Sequence, residues 1–297
     1  MHSIRTKLTL ITLMAIIVSV LCVGIVSIYS IKKEEDRNAS REMKLICDNQ
    51  RKSLNDYLDS IGQSVNMLSR YATQDLDVVE LVNGGVSVSA PETSSLSLRE
   101  QVARRNSLNR YLHEHCAKLK TLFDSVANHT NGVVNYYYRL NPELHTNEKG
   151  FVYTRNGTSG FIRGNAVDIL GYAPDDIGHV GWYYLPVSRG RPSWIDPYHN
   201  DNFDMDIVSY VTPIYKVGML IGIIGMDIYY DTLVSQIRDI EVYDTGYACL
   251  ANEEGLLVYH PTLESGIDLN VIHPGLVEAI KSRSGQSDDI ALVKYQY

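Results

Sequence analysis

Hydrophobic and polar positions change their period along this chain, and each change predicts an element. From Leu8 to Ile31, LTLITLMAIIVSVLCVGIVSIYSI runs 24 residues without a charge. At about 1.5 Å rise per residue such a run crosses a ~30 Å hydrocarbon core, which predicts a transmembrane helix. A cleaved signal usually has a shorter apolar part and ends in small residues, whereas this run ends IYSIKKEED, so the helix is expected to remain attached. From about Asn38 to Tyr71, Leu54, Leu58, Ile61, Val65 and Leu68 recur at three- and four-residue steps with Tyr57 beside them. That spacing is one apolar stripe of a long helix, placed as a stalk. The stripe can pair with a second copy or pack on its own domain, and spacing does not separate the two.

The segment VNGGVSVSAPETSS interrupts the helical period with Gly84, Gly85 and Pro91. Ser97 followed by Glu100 then fits a capping box, opening a helix striped by Leu98, Val102, Leu108, Leu112, Leu119, Leu122 and Val126. After Asn131-Gly132 the pattern becomes strand-like: VVNYYYR (133–139), GFVY (150–153), IVSYVTPIY (207–215) and MLIGIIGMDI (219–228), the last two close enough for a hairpin. Helical spacing returns over 229–240. GYACLAN and GLLVYHP then predict a smaller hairpin, and the chain ends on the strand-like ALVKYQY. A strand there needs a partner from elsewhere, so the last module is expected to be truncated relative to a complete protein.

The pattern predicts an α+β chain: a cytoplasmic amino terminus (1–7), a transmembrane helix (8–31), a stalk helix (32–75), a first strand-rich module (76–230) and an incomplete second one (231–297). Long folded segments translocate largely regardless of charge, which places the bulk outside the cytoplasm.

Composition changes this picture little. A net charge of -8 without a basic block argues against a nucleic-acid partner. Cys22 lies in the apolar run, and Cys47, Cys116 and Cys249 stand at unrelated spacings, which make neither a disulfide framework nor a metal site. No zinc-protease, nucleophile-elbow or phosphate-loop motif is present, so no catalytic residue, cofactor or metal is assigned. Asp201 and Asp204 flank Phe203 without a calcium-loop pattern, and His179 and His199 lack a coordinating spacing.

The stretch GWYYLPVSRGRPSWIDPY (181–198) concentrates both tryptophans and three tyrosines among breakers. Read as strand, it sends neighbours to opposite faces, so only one of Tyr183 and Tyr184 faces a given pocket. Tyr198, between Pro197 and the polar HNDNFD, reads as a loop residue. Asp227 ends an otherwise uncharged run in a central strand, where a carboxylate needs a partner or water.

In this order, YYYRLNPEL, GFVY, GWYYLPVSRGRPSWIDPYHN, SYVTPIY and LIGIIGMDI, after a membrane helix and a long helix, resemble the double Cache sensor family. Its members are extracytoplasmic pairs of PAS-like modules on bacterial chemoreceptors, sensor kinases and diguanylate cyclases. The similarity is greatest to sensor regions of clostridial diguanylate cyclases and related cyclic-di-GMP signalling proteins. The resemblance makes 76–230 the membrane-distal module and 231–297 the membrane-proximal one, and implies a small-molecule pocket in the distal module. There an arginine, a tryptophan and a tyrosine surround a ligand carboxylate, while a further tyrosine and an aspartate hold its ammonium. The aromatics fall on Trp182 and Tyr183, the later tyrosine on Tyr198 and the aspartate on Asp227. The arginine position is Val180, which removes a bidentate clamp.

Arg139, on the strand that the family layout brings to the pocket, is a substitute. Trp194 is a packing residue or pocket lid, and Arg189 and Arg191 flank a turn at Gly190. The implied function is a membrane-bound sensor of an amine-containing or amino-acid-like ligand, homodimeric, signalling to a diguanylate cyclase. A histidine kinase or chemoreceptor output and a structural or protein-binding ectodomain are the alternatives. Cysteines introduced at Ser60 or Asp201 are expected to react with a membrane-impermeant maleimide in intact cells; reaction only after lysis would reverse the orientation.

Overall fold

The computed structural model describes residues 4–86, 97–157, 160–240, 246–252, 254–272 and 274–278. Contacts divide the chain into Met1–Lys52 with His273–Tyr297, and Ser53–Ile272. Helix α1 (Ile4–Asp75) contributes residues to each. In the first unit, apolar side chains such as Ile11, Met14, Val20 and Ile28 are all exposed. Among the described residues this is the one helix long and apolar enough to cross a membrane.

The second unit is built on an antiparallel six-stranded sheet of order β3-β2-β1-β6-β5-β4. Its strands are β1 (Val133–Leu140), β2 (Gly150–Arg155), β3 (Phe161–Arg163), β4 (Ser193–Asn200), β5 (Met205–Lys216) and β6 (Met219–Tyr229). The predicted β5–β6 hairpin forms through Val217 (φ 55) and Gly218 (φ 75), two left-handed positions of the kind a tight hairpin turn demands. The central strand β1 is buried at every position, because both faces of the sheet are covered.

On one face lie α1, α2 (Val78–Asn83) and α3 (Leu98–His129). Ile61, Val65, Leu68 and Ala72 of α1 join Leu112, Leu119 and Phe123 of α3 and the rings of Tyr136 and Tyr138 in one core. The stripe on α1 is therefore satisfied within its own domain: Ile61, Val65 and Leu68 are fully buried and Leu54 and Leu58 pack beside them. Of the alternatives left open by spacing, the intramolecular one holds. The Ser97–Glu100 capping box of α3 is present as predicted. At the C-terminal end of α1, Asp75 Oδ2 lies 2.7 Å from Nδ1 of buried His115 on α3, and Tyr111 donates to the Asp75 carbonyl at 3.4 Å.

The other face is covered by α4 (Ile177–Arg189) and the segment before it. This is the main departure from the predicted elements: Trp182, Tyr183 and Tyr184 stand on a helix, not a strand. Both ends of α4 carry helix signals. Asp176 accepts from the His179 amide as N-cap, and Gly190 at φ 63 closes the C-terminus, with Pro186 tolerated inside. Tyr198 differs in the opposite sense, lying in strand β4 instead of a loop.

Beyond β6 come α5 (Tyr230–Arg238), the hairpin of β7 (Leu250–Ala251) and β8 (Leu257–Tyr259), and α6 (Leu269–Ile272). They are what is described of the module expected over 231–297; the ALVKYQY ending lies outside the described residues. Leu68→Ala is expected to destabilise the protein by about 2–5 kcal/mol, as removal of a fully buried leucine does. Chemical denaturation measures it, and an unchanged midpoint would mean that the α1 stripe is not part of the core.

Candidate functional site

Alternation along β1 puts Asn135, Tyr137 and Arg139 on the sheet face under α4, while Tyr136 and Tyr138 face α1 and α3. A small pocket with about 20 Å³ of free interior lies there, lined by Tyr137, Arg139, Val152, Trp182, Phe203 and Asp227, with further walls from Phe151, Ala166, Val167 and Asn200. Its lining, apolar walls with a few convergent polar groups, is that of a small-molecule site, and a ligand larger than a water has to part those walls.

Asp227 is the most constrained group in it. The residue is 1% exposed on β6, with Asn135 directly opposite on β1 and Ser209 opposite on β5. Asn135 Nδ2 donates to Oδ2 at 2.9 Å and the Tyr137 hydroxyl donates to Oδ1 at 3.1 Å. Ser209, facing from β5, also lowers the carboxyl's pKa, and Tyr198 lies close behind with its own hydroxyl 3.3 Å from Ser209 Oγ. Gly225 makes this geometry possible. A side chain there would come within 2.5 Å of the Tyr137 ring, which lies across β6 to reach the carboxylate two residues on. Every partner is neutral. Burial therefore dominates and pushes the Asp227 carboxyl up to about 6, against the opposing pull of the hydrogen bonds from Asn135, Ser209 and Tyr137.

Trp182 walls the pocket edge-on to Tyr137, with ring centroids 5.2 Å apart, and its indole N–H donates to the His179 carbonyl at 2.8 Å. Arg139 lies at the other end of the β1 face. Its Nη1 donates to the carbonyls of Lys149 (2.8 Å) and Leu140 (3.3 Å), and Nη2 donates to that of Val167 (3.3 Å). Among the described residues, three buried side-chain atoms on this face have no hydrogen-bond partner: Asn135 Oδ1, Arg139 Nε and Oγ1 of Thr154, which stands opposite Asn135 on β2.

The structure thus brings together Trp182, Asp227 and Arg139, with Tyr198 in the hydroxyl network behind Asp227. Tyr183 is buried under α4, donating to Asn141 Oδ1 at 3.1 Å, and is not among the pocket walls. Trp194 is on the wrong face for a lid: it pairs with Tyr210, ring centroids 5.1 Å apart, and Tyr210 accepts from Asn66 of α1. Val180 is wholly buried in the packing beneath α4. Arg189 donates to the Trp194 carbonyl at 3.0 Å at the exposed end of α4.

Sequence reasoning missed Asn135, Tyr137, Asn200, Phe203 and Ser209. The period of two in NYYYR carried the first pair, since it sets Asn135 and Tyr137 on the face of Arg139. It also missed that Asp176, His179 and Asp201 meet, with one ligand-type atom from each within 4.8 Å of the others. These three groups are partly exposed, and Asp176 is already engaged in capping α4.

Residues 119–235, which contain the whole pocket, match the family model described as methyl-accepting chemotaxis protein-like, first PDC sensor domain. That is about two fifths of the chain. Methyl-accepting chemotaxis protein PctB of Pseudomonas aeruginosa is 26% identical over 80 residues, which are 27% of this chain and 13% of that protein.

Among solved structures, the ligand-binding domain of the P. aeruginosa amino acid chemoreceptor PctC in complex with GABA has a TM-score of 0.41 at 14% identity. The alignment covers 79% of this chain and 82% of that one. The extracellular domain of a protein described as a histidine kinase, mmHK1S-Z3, has a TM-score of 0.44 at 20% identity, over 75% and 81% of the two chains. Likeness at these scores bears on neither ligand nor output. The family-model match supports the expected Cache-type sensor domain. These matches do not show an affiliation with clostridial diguanylate cyclases.

A carboxyl whose folded-state pKa is raised binds more protons folded than unfolded, so Asp227 stability falls as pH rises from about 4 through about 6. Among the described residues no charged side chain faces it to oppose this; its neighbours are Asn135, Tyr137, Ser209 and Tyr198. Asp227→Asn is expected to stabilise the ligand-free protein at pH 7.5 by on the order of 1–3 kcal/mol and to flatten that slope. Thermal melts of both proteins across pH 4–8 measure it; equal melts throughout would mean the carboxylate is solvated after all.

Proposed function

We propose that the chain is the sensing part of a membrane-anchored receptor, with the Ser53–Ile272 unit outside the cytoplasm and a pocket for a small molecule carrying a protonated amine. One observation carries the reading. Asp227 is a carboxylate buried in an aromatic-walled pocket with hydrogen-bond donors but, among the described residues, no cation beside it. A protonated amine supplies the missing charge, and the faces of Trp182 and Tyr137 suit a cation or its alkyl carbon. The family-model match over the same residues supports a sensor of this kind.

The same match favours a chemoreceptor output over the diguanylate cyclase suggested by resemblance alone. Ligand can bias only what it binds differently in two states, so its effect must pass through groups the pocket shares with α1. Strand β1 is such a group, carrying Tyr137 on the pocket face and Tyr138 against His115, the partner of Asp75. A homodimer is the assembly expected of such a receptor. With the 54–68 stripe buried, its contacts would use another face of α1, where Met67 and Tyr71 are exposed.

The test is a thermal-shift screen of the full chain in detergent against primary amines, amino acids, small carboxylates and nucleobases. Only compounds with a protonated amine are expected to raise the melting temperature. Asp227→Asn should weaken the best of them about thirtyfold or more, as loss of a buried charged contact does. Unchanged affinity in that variant, or tight binding by a compound with no amine, would remove the proposal.

A further inference from the structure

We propose that Arg139 is the second anchor of this pocket, and that the ligand is a zwitterion whose anionic group stands several bonds away from its amine. The inference rests on the amine-binding reading of Asp227.

Arg139 is 6% exposed and lines the same pocket as Asp227. Its three hydrogen bonds all go to backbone carbonyls, and Nε is buried without any partner. Carbonyl oxygens fix the direction of a guanidinium but bring no counter-charge. Among the described residues no carboxylate pairs with it, and Asp168 acts only from beyond ion-pair distance. A buried guanidinium left in that state is unfavourable unless an anion completes it. The planar fork suits a carboxylate, which it can grip through two N–H groups at once. The pocket therefore holds two buried charges of opposite sign that pair neither with each other nor with another side chain.

Their separation decides the ligand class. Asp227 is level with Asn135, and Arg139 lies four residues further along β1, on the order of 13 Å at about 3.4 Å per residue. The carbonyls of Leu140 and Lys149 hold the guanidinium toward the far end of that strand, away from Asn135. An amine and a carboxylate on one carbon atom cannot reach both anchors. An extended ω-amino acid can. Val180 agrees with this arrangement, since no cation on that part of α4 stands ready to take a carboxylate close to the amine.

Calorimetric titration of the full chain in detergent separates the possibilities with four probes: 5-aminopentanoate, norvaline, pentylamine and pentanoate. The first carries both charges far apart, the second both on one carbon, and the others one charge each. The ω-amino acid is expected to bind about tenfold or more tightly than either norvaline or pentylamine. Arg139→Gln should remove that advantage, Arg139→Lys should retain part of it, and Asp227→Asn should weaken both amines. Norvaline or pentylamine binding as well as 5-aminopentanoate would overturn the Arg139 anchor while leaving the Asp227 reading intact. So would full 5-aminopentanoate affinity in Arg139→Gln. If no amine-bearing probe binds, both fall. The wild-type series decides the matter even if Arg139→Gln does not fold.

Discussion

A carboxylate in the middle of a six-stranded sheet is tolerable only if its charge is met, and the pocket face is arranged around that requirement. Strand register supplies part of the answer, since Asn135, Asp227 and Ser209 stand level on three adjacent strands. Gly225 supplies another, because only a residue without a side chain lets the Tyr137 ring cross β6 to reach Asp227. These donors solvate the carboxylate without neutralising it. What results is a site that is structurally complete and electrostatically unfinished. Water-exposed sheets do not hold such a tension, because solvent relieves it. Here both faces are covered, by α1 and α3 on one side and α4 on the other, so the deficit stays in the pocket.

The same covering explains what was legible in the sequence. Strands β1, β5 and β6 were readable because a sheet buried on both faces needs long apolar runs between turn signals, and VVNYYYR and MLIGIIGMDI are such runs. The long helices were readable from their stripes and from the Ser97–Glu100 box. Helix α4 was not. Its aromatics have strand propensity, and its interior proline argues against a helix, yet Asp176 and Gly190 cap it at both ends. Propensity lost to caps and to the apolar surface that Val180, Tyr183 and Pro186 bury at three-residue steps.

Among the candidate site residues, position on the sheet decided what a list of residue types could not. Asp227 and Arg139 lie on one face because alternation within β1 and register to β6 put them there. Trp194 lies on the other by the same rule, packed with Tyr210 against α1. Residue chemistry alone made Trp194 a reasonable lid; the parity of its strand excludes it. The gathering of Asp176, His179 and Asp201 was invisible for a different reason. It depends on the turn after β4 closing against α4, where Asp201 donates its amide to the Gly178 carbonyl at 3.2 Å, a contact that no local pattern encodes.

That β1 is buried on both faces also ties the pocket to α1. Tyr137 and Tyr138 are adjacent in the chain and point to opposite sides. Tyr137 donates to Asp227; Tyr138 lies 3.4 Å from Nε2 of His115, whose other nitrogen meets Asp75 on α1. Burial lowers the His115 pKa, so its ring is neutral at physiological pH. The Asp75 carboxyl would be raised by burial, but the His115 hydrogen bond and Lys118 hold it below its ordinary range. With Asp75 ionised, Nδ1 carries the ring proton and donates to it, which leaves Nε2 to accept from Tyr138. Each link then has a fixed donor and acceptor, and none can reverse without leaving a buried polar atom unpaired. A ligand that repositions Tyr137 must move the backbone it shares with Tyr138. The chain of hydrogen bonds on the far side gives that movement a defined place to arrive, at the C-terminal end of α1.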